Sequence, residues 1–87
     1  HIRLYVQEKR VLCWEETEEA PLYAGGTVAE RALNGTLYFF TTSEEDAAPP
    51  LIEAALQAKE IACRLVDKGI DTENEDYYIY KWTWCYA

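Results

Sequence analysis

Residues 2–7 alternate. Ile2, Leu4 and Val6 fall on one side of an extended chain, and Arg3, Tyr5 and Gln7 on the other. A repeat of two is the signature of a half-buried strand. Val11-Leu12-Cys13-Trp14 continues as a second strand, so Glu8-Lys9 is read as a hairpin turn, although this pair is not a favoured turn sequence. The run from Glu15 to Pro21 breaks the alternation and reads as a charged loop, because proline has no N–H to give to a central ladder. Gly25-Gly26 marks a second flexible point. Residues 27–33 support two readings. Thr27 and Glu30 have capping-box spacing ahead of a short helix. The preferred reading is a strand entering a hairpin through Asn34-Gly35, a strong turn dipeptide. Leu37-Tyr38-Phe39-Phe40-Thr41-Thr42 is aromatic and β-branched and predicts a strand.

The period then changes. Ser43 and Asp46 have capping-box spacing, and Glu44, Glu45 and Asp46 suit the positive end of a helix dipole. Pro49-Pro50 is tolerated only in the first turn or just before it. From Leu51 to Lys68 the spacing predicts a long amphipathic helix. Leu51, Ile52, Ala55, Leu56, Ala62, Leu65 and Val66 form its apolar side, Glu53, Gln57, Glu60, Arg64 and Asp67 the polar one, and Gly69 supplies the C-terminal cap.

After the polar segment 71–76, the chain reads Tyr77-Tyr78-Ile79-Tyr80-Lys81-Trp82-Thr83-Trp84-Cys85-Tyr86. As a strand it sets Tyr78, Tyr80, Trp82, Trp84 and Tyr86 on one face. The small residues Ala55, Ala58 and Ala62 of the expected helix would leave space for such rings, so Tyr80 and Trp82 are expected in the core. Trp84 and Tyr86 are expected to reach the surface. The fold class that follows is α+β: an antiparallel sheet of four to five strands with one long amphipathic helix on one face, in the order β-β-β-β-α-β. The 87 residues make a single domain, 1–87. The last strand is a candidate edge, open to a second copy in a homodimer.

Composition narrows the function. With 49% hydrophobic residues the chain has enough apolar material for a core and is not of the disordered class. No apolar run approaches the ~20 residues of a membrane span. Sixteen acidic residues against eight basic ones give a net charge of −8, which argues against direct contact with nucleic acid. Three widely spaced cysteines are not a disulfide framework, and together with the lack of a signal-peptide pattern they point to a reducing cytoplasmic compartment. Asn34-Gly35-Thr36 matches a glycosylation acceptor, which has no meaning without secretion.

Candidate chemistry is sparse. Cys13, Cys63 and Cys85 lack a credible base, since the one histidine is His1, so they read as small hydrophobes and no catalytic residue is assigned. No metal site is assigned: there are no paired cysteine or histidine spacings, and Asp71-Thr72-Glu73-Asn74-Glu75-Asp76 lacks the turn glycine and distal glutamate of a calcium loop. Gly25-Gly26 is not a phosphate loop, and no cofactor is expected. Paired carboxylates for glycoside chemistry would find little cleft in so small a domain.

The acidic residues are the main lead. They fall in three groups: Glu15, Glu16, Glu18 and Glu19; Glu44, Glu45 and Asp46; and Asp71, Glu73, Glu75 and Asp76. With Trp84 and Tyr86 they are the candidate partner-binding residues. The expectation is a non-catalytic inhibitor module that docks on the basic surface of a nucleic-acid-handling protein. Phage and mobile-element inhibitors of CRISPR or restriction complexes offer an analogy of size and charge alone. Two alternatives are an immunity protein or antitoxin against a nuclease toxin, and small-ligand or carbohydrate binding through the C-terminal aromatic strand.

Overall fold

The structure is a computed structural model. It describes residues 2–17, 22–24, 27–30 and 33–86, with 22–24 and 27–30 described as backbone only. In chain order the elements are β1 (Ile2–Gln7), β2 (Arg10–Thr17), β3 (Leu22–Ala24), β4 (Thr27–Glu30), β5 (Leu33–Thr41), α1 (Ala48–Ala58), β6 (Ala62–Ile70) and β7 (Tyr78–Tyr86). Five strands form one sheet in the order β1-β2-β5-β7-β6, and every neighbour is antiparallel. β3 and β4 pair with each other in a separate two-stranded hairpin. The fold is α+β, with one helix against the sheet.

The helix is short. It has 11 residues, and the stretch read as its second half, with Gly69 as cap, is strand β6. The stop is local. Glu60 takes φ 60°, its amide bonds to the Gln57 carbonyl, and the Ile61 amide bonds back to the Leu56 carbonyl. These are the two hydrogen bonds of a Schellman motif, and the apolar contact that accompanies it is present, since Ile61 packs into the same core as Leu56. A glutamate stands where glycine is usual, so no sequence signal marks the end. Helical spacing of Ala62, Leu65 and Val66 is therefore incidental. The observed order has five strands before the helix and two after it.

The N-terminal side also differs from expectation. Asp46, not Ser43, serves the first turn: its Oδ1 accepts the Ala48 amide at 2.9 Å, while Ala47 occupies the cap position with no side-chain bond. Pro49 sits inside the first turn, where its missing N–H costs nothing. The apolar side of the helix is turned from the expected one. Ile52 and Leu56 face the sheet, Leu51 is 68% exposed, and Ala55 and Ala58 are exposed. Glu53, expected in solvent, is half-buried and accepts the Trp82 indole N–H at 3.1 Å.

The Glu8-Lys9 turn is present between Gln7 and Arg10, with Glu8 at φ 50°. Asn34-Gly35 is not a turn. Both residues lie inside β5, where Asn34 pairs with Thr17 and Cys85, and Gly35 with Glu16 and Trp84. Residues 27–30 are strand, paired with β3 and not with the stretch after Gly35. Gly25-Gly26 and Pro21 lie outside the described residues. β7 is not an edge: it lies between β5 and β6, and the edges are β1 and β6.

The register assigns side chains to two faces. On the front face, Leu37, Phe39, Tyr80, Trp82 and Trp84 join Leu56 of α1 in the core, flanked by Leu12, Trp14, Ile52, Ile61 and Cys63. Trp82 is fully buried, as expected for the centre of the aromatic stripe. Trp84, expected at the surface, is 3% exposed and stacks on Trp14 with centroids 4.1 Å apart. Its indole N–H donates to the Thr36 carbonyl at 3.2 Å. The alanines of the expected helix do not make this room. The small residue against the large ring is Gly35, whose Cα faces the Trp84 ring within the sheet itself.

Candidate functional site: the uncovered sheet face

Helix α1 lies on the front, and the back face of the sheet is open among the described residues. Its side chains form rows across the strands. Val6, Val11, Phe40 and Ile79 are successive cross-strand partners and end at Gly69, where a Cβ would meet nothing within 4 Å. The next row is Leu4, Cys13, Tyr38, Lys81 and Asp67, and the one after it Ile2, Glu15, Thr36, Thr83 and Arg64. The face thus grades from apolar to polar along the strands. Its outer positions are bare: Ile2, Leu4 and Val6 are 62%, 63% and 69% exposed. Phe40 and Tyr38 stack at 6.3 Å, and the Lys81 ammonium stands 5.5 Å from the Tyr38 ring centroid, covering one end with a charge.

The apolar row lies one position from the loop end of the sheet. At this end are the Glu8-Lys9 turn, the 42–47 segment and the 71–77 loop, because Gln7, Arg10, Thr41, Tyr78 and Ile70 are mutual neighbours there. Two acidic groups meet at this end. Glu44, Glu45, Glu73, Glu75 and Asp76 are exposed and Asp71 is half-buried. The loop holds its shape through its own polar groups: Asp71 Oδ1 accepts the Glu73 amide at 3.1 Å and Asn74 Oδ1 accepts the Asp76 amide at 3.2 Å.

The third acidic group is elsewhere. Glu15 and Glu16 belong to β2, not to a loop, at the far end of the sheet beside Gly35 and Ile2, and they point to opposite faces. Thr36 Oγ1 donates to Glu15 Oε2 at 3.4 Å. Glu18 and Glu19 lie outside the described residues. Glu15 and Glu16 stand five and six positions along β2 from Arg10 at the loop end, roughly 17–20 Å, about two screening lengths at physiological salt. Glu15 and Glu16 therefore do not form one charged patch with the loop acids. Trp84, buried, and Tyr86, 45% exposed, also belong to the far end. With Tyr80, Trp82 and Trp84 all buried, the aromatic strand is not an open stacking platform for a sugar or base.

Asp46 is withdrawn from the acidic surface. Its side chain is 1% exposed and takes a bidentate contact from Arg10, Nη2 to Oδ1 at 2.6 Å and Nε to Oδ2 at 2.8 Å, plus the Thr41 hydroxyl at 2.6 Å. Burial alone would push this carboxyl up. The hydrogen bonds from Arg10, Thr41 and the Ala48 amide, with the Arg10 charge, outweigh burial and hold it below the usual carboxylate range. A depressed native value means stability that is present above the unfolded value, about 3.9, and lost as pH falls through the native one. Asp46→Asn is expected to lower stability by about 2 kcal/mol at neutral pH, with Arg10 half exposed and partly screened. The gap to the wild type should narrow below about pH 4. Urea midpoints at pH 7 and pH 3 check both; equal gaps at the two pH values would contradict the assignment.

Burial pushes the Cys13 and Cys63 thiols up, with Glu15 and Glu53 adding to it respectively, so both are protonated at neutral pH and are poor nucleophiles. All three cysteines are free; Cys13 and Cys63 are half-buried, whereas Cys85, read as a buried hydrophobe, is exposed. Among the described residues no three His, Cys, Asp or Glu side chains converge as a metal site, and no helix is long and apolar enough to cross a membrane.

The alternation of Ile2, Leu4 and Val6 implies a half-buried strand, yet the structure leaves this apolar side bare. The available signal was that β2, β5 and β7 carry apolar residues at consecutive positions, so both their faces are apolar while one helix covers only one. No family model, curated protein or solved structure matches the chain.

Proposed function

We propose that this protein is a non-catalytic, inhibitor-type binding module. It seats the apolar rows of its open sheet face on a partner protein and uses the acidic loop end to select a partner with a basic surface, as nucleic-acid-handling proteins have. The observation that carries this reading is the back-face row Val6, Val11, Phe40 and Ile79, exposed at Val6 and half-buried at the other three, set one position from the loops that hold Glu44, Glu45, Glu73, Glu75 and Asp76. Contiguous exposed apolar surface marks protein-binding sites. Neighbouring charge raises the encounter rate and rejects partners of like sign more than it adds affinity.

The test is affinity capture from nuclease-treated lysate of the source cells at low and high salt, with the wild type and two variants. Phe40→Lys places a charge in the apolar row; Glu73→Lys with Glu75→Lys and Asp76→Lys reverses the loop. The expected result is a basic nucleic-acid-binding protein that is retained by the wild type, lost with Phe40→Lys at any salt, and weakened by loop reversal mainly at low salt. A partner indifferent to both variants, or no partner, would overturn the reading. The identity of the captured protein separates an inhibitor of CRISPR or restriction complexes from an immunity protein or antitoxin, whose surface physics is the same.

A further inference from the structure

The sheet has two edges, and they are built differently. β6 is guarded in the ways by which sheets avoid edge-to-edge pairing: it carries Arg64, Asp67 and Lys68, and its register breaks between Leu65 and Asp67. β1 carries fewer of these devices. Its six residues pair with β2 without a break, it contains no proline, and Arg3 is its single charged residue. All six are exposed, with Tyr5 at 55% alongside Ile2, Leu4 and Val6.

The hydrogen-bonding phase of β1 follows from its turn. A two-residue hairpin makes the flanking Gln7 and Arg10 a hydrogen-bonded pair, and the alternation of an antiparallel ladder does the same for Tyr5 with Leu12 and Arg3 with Trp14. Ile2, Leu4 and Val6 therefore turn their N–H and C=O groups away from β2, along the open edge.

We propose that β1 pairs antiparallel with β1 of a second copy, joining the two sheets into one of ten strands. The sequence of β1 is complementary to itself. Two-fold symmetry about Leu4 sets Leu4 opposite Leu4, Ile2 opposite Val6, and Arg3 opposite Tyr5, each pair on one face. The alternative two-fold register, about Tyr5, sets Leu4 opposite Val6 and Arg3 opposite Gln7. Neither opposes like charges. The antiparallel arrangement also answers the net charge of −8. Because Gln7 is at the acidic loop end and Ile2 at the far end, the two copies run in opposite directions and their acidic loops point away from each other. Parallel pairing, or pairing through β6, would not separate the loops by this symmetry while also keeping a bare, regular edge at the junction.

The experiment is analytical ultracentrifugation of the wild type and two variants from low to high micromolar concentration, with circular dichroism to establish folding. Tyr5→Lys sets lysine against Arg3 in one register and against itself in the other, while leaving the back-face residues of the proposed partner site unchanged. It should weaken the dimer about tenfold or more. Val66→Lys, on the β6 edge, should leave it unchanged. Hydrogen exchange on the wild type should show the Leu4 and Val6 amides protected only at concentrations where the dimer is populated. A wild type that stays monomeric throughout the range, a dimer indifferent to Tyr5→Lys, or one abolished by Val66→Lys overturns the proposal. If Tyr5→Lys does not fold, the exchange of the wild-type amides decides alone: no concentration dependence overturns it.

Discussion

Gly35→Ala should destabilise the protein by about 3 kcal/mol or more, the upper range for overpacking a closely packed site. A Cβ at this position would stand 1.8 Å from the Glu15 carbonyl oxygen, 2.9 Å from its carbon and 2.9 Å from Trp84 Cζ2. The two obstacles differ in kind. The Trp84 ring is a side chain, but it is held by its stack on Trp14 and its bond to the Thr36 carbonyl. The Glu15 carbonyl is backbone, so a methyl group can be admitted only if β2 and β5 part. That would break the ladder where Glu16 pairs with Gly35 and would carry Trp14 away from Trp84. Thermal unfolding with a near-ultraviolet signal for the stacked indoles measures both effects. For a domain of this size, a 3 kcal/mol loss lowers the midpoint by roughly 10–25 °C. An unchanged midpoint would mean that the strands do not approach this closely at Gly35.

Trp82→Ala should cost about 3–5 kcal/mol, a large part of the total stability of a small domain. Trp82 is fully buried, stacks beside Tyr80 with centroids 6.0 Å apart, and is the sheet's link to α1 through Glu53. The two contributions separate in a second variant. Trp82→Phe keeps most of the apolar volume and removes the N–H, leaving the half-buried Glu53 carboxylate without that donor, at about 1–3 kcal/mol. Urea denaturation orders the three proteins. In the wild type, Trp82 and Trp84 should resist iodide quenching, since both are buried. Strong quenching of the whole emission, or a Trp82→Ala midpoint within experimental error of the wild type, would show that the aromatic strand is not the core.

Both predictions fall on features that were unevenly legible. The alternation of β1, the aromatic run of β5 and the stripe Tyr80, Trp82, Trp84 are properties of a strand's period of two, and that period survives translation into three dimensions. The helix start was legible from Pro49-Pro50, because proline tolerates few positions. The helix end was not, because the turn at Glu60 draws its favourable contact from Ile61 packing beside Leu56 and not from a glycine. Asn34-Gly35 misled for a related reason. The dipeptide permits a turn, but a glycine is equally demanded where an indole must lie flat on a strand, and only the neighbouring strand reveals which demand applies. Of the candidate binding residues, Asp46 was lost to an ion pair with Arg10, 36 positions away in the chain, and Trp84 to a stack with Trp14. Glu44, Glu45, Glu73, Glu75 and Asp76 kept the exposure expected of them, because charged side chains favour water, whereas Asp71 is half-buried where its carboxylate accepts the Glu73 amide.

What the amino-acid order determined by itself was local: strand period, helix initiation, an apolar supply sufficient for one core, and an excess of acidic charge in three segments. The antiparallel α+β class followed from these. The tertiary structure decided everything that depends on which strand lies beside which. It placed β7 inside the sheet and β1 at its edge, brought two acidic segments to one end and left Glu15 and Glu16 roughly 17–20 Å away. It also put the single short helix over one face of a sheet that is apolar on both. The physical reason is that hydrogen bonds between strands join residues far apart in sequence. Neighbours, faces and ends are therefore set by the packing of the whole chain, and no window of residues contains them.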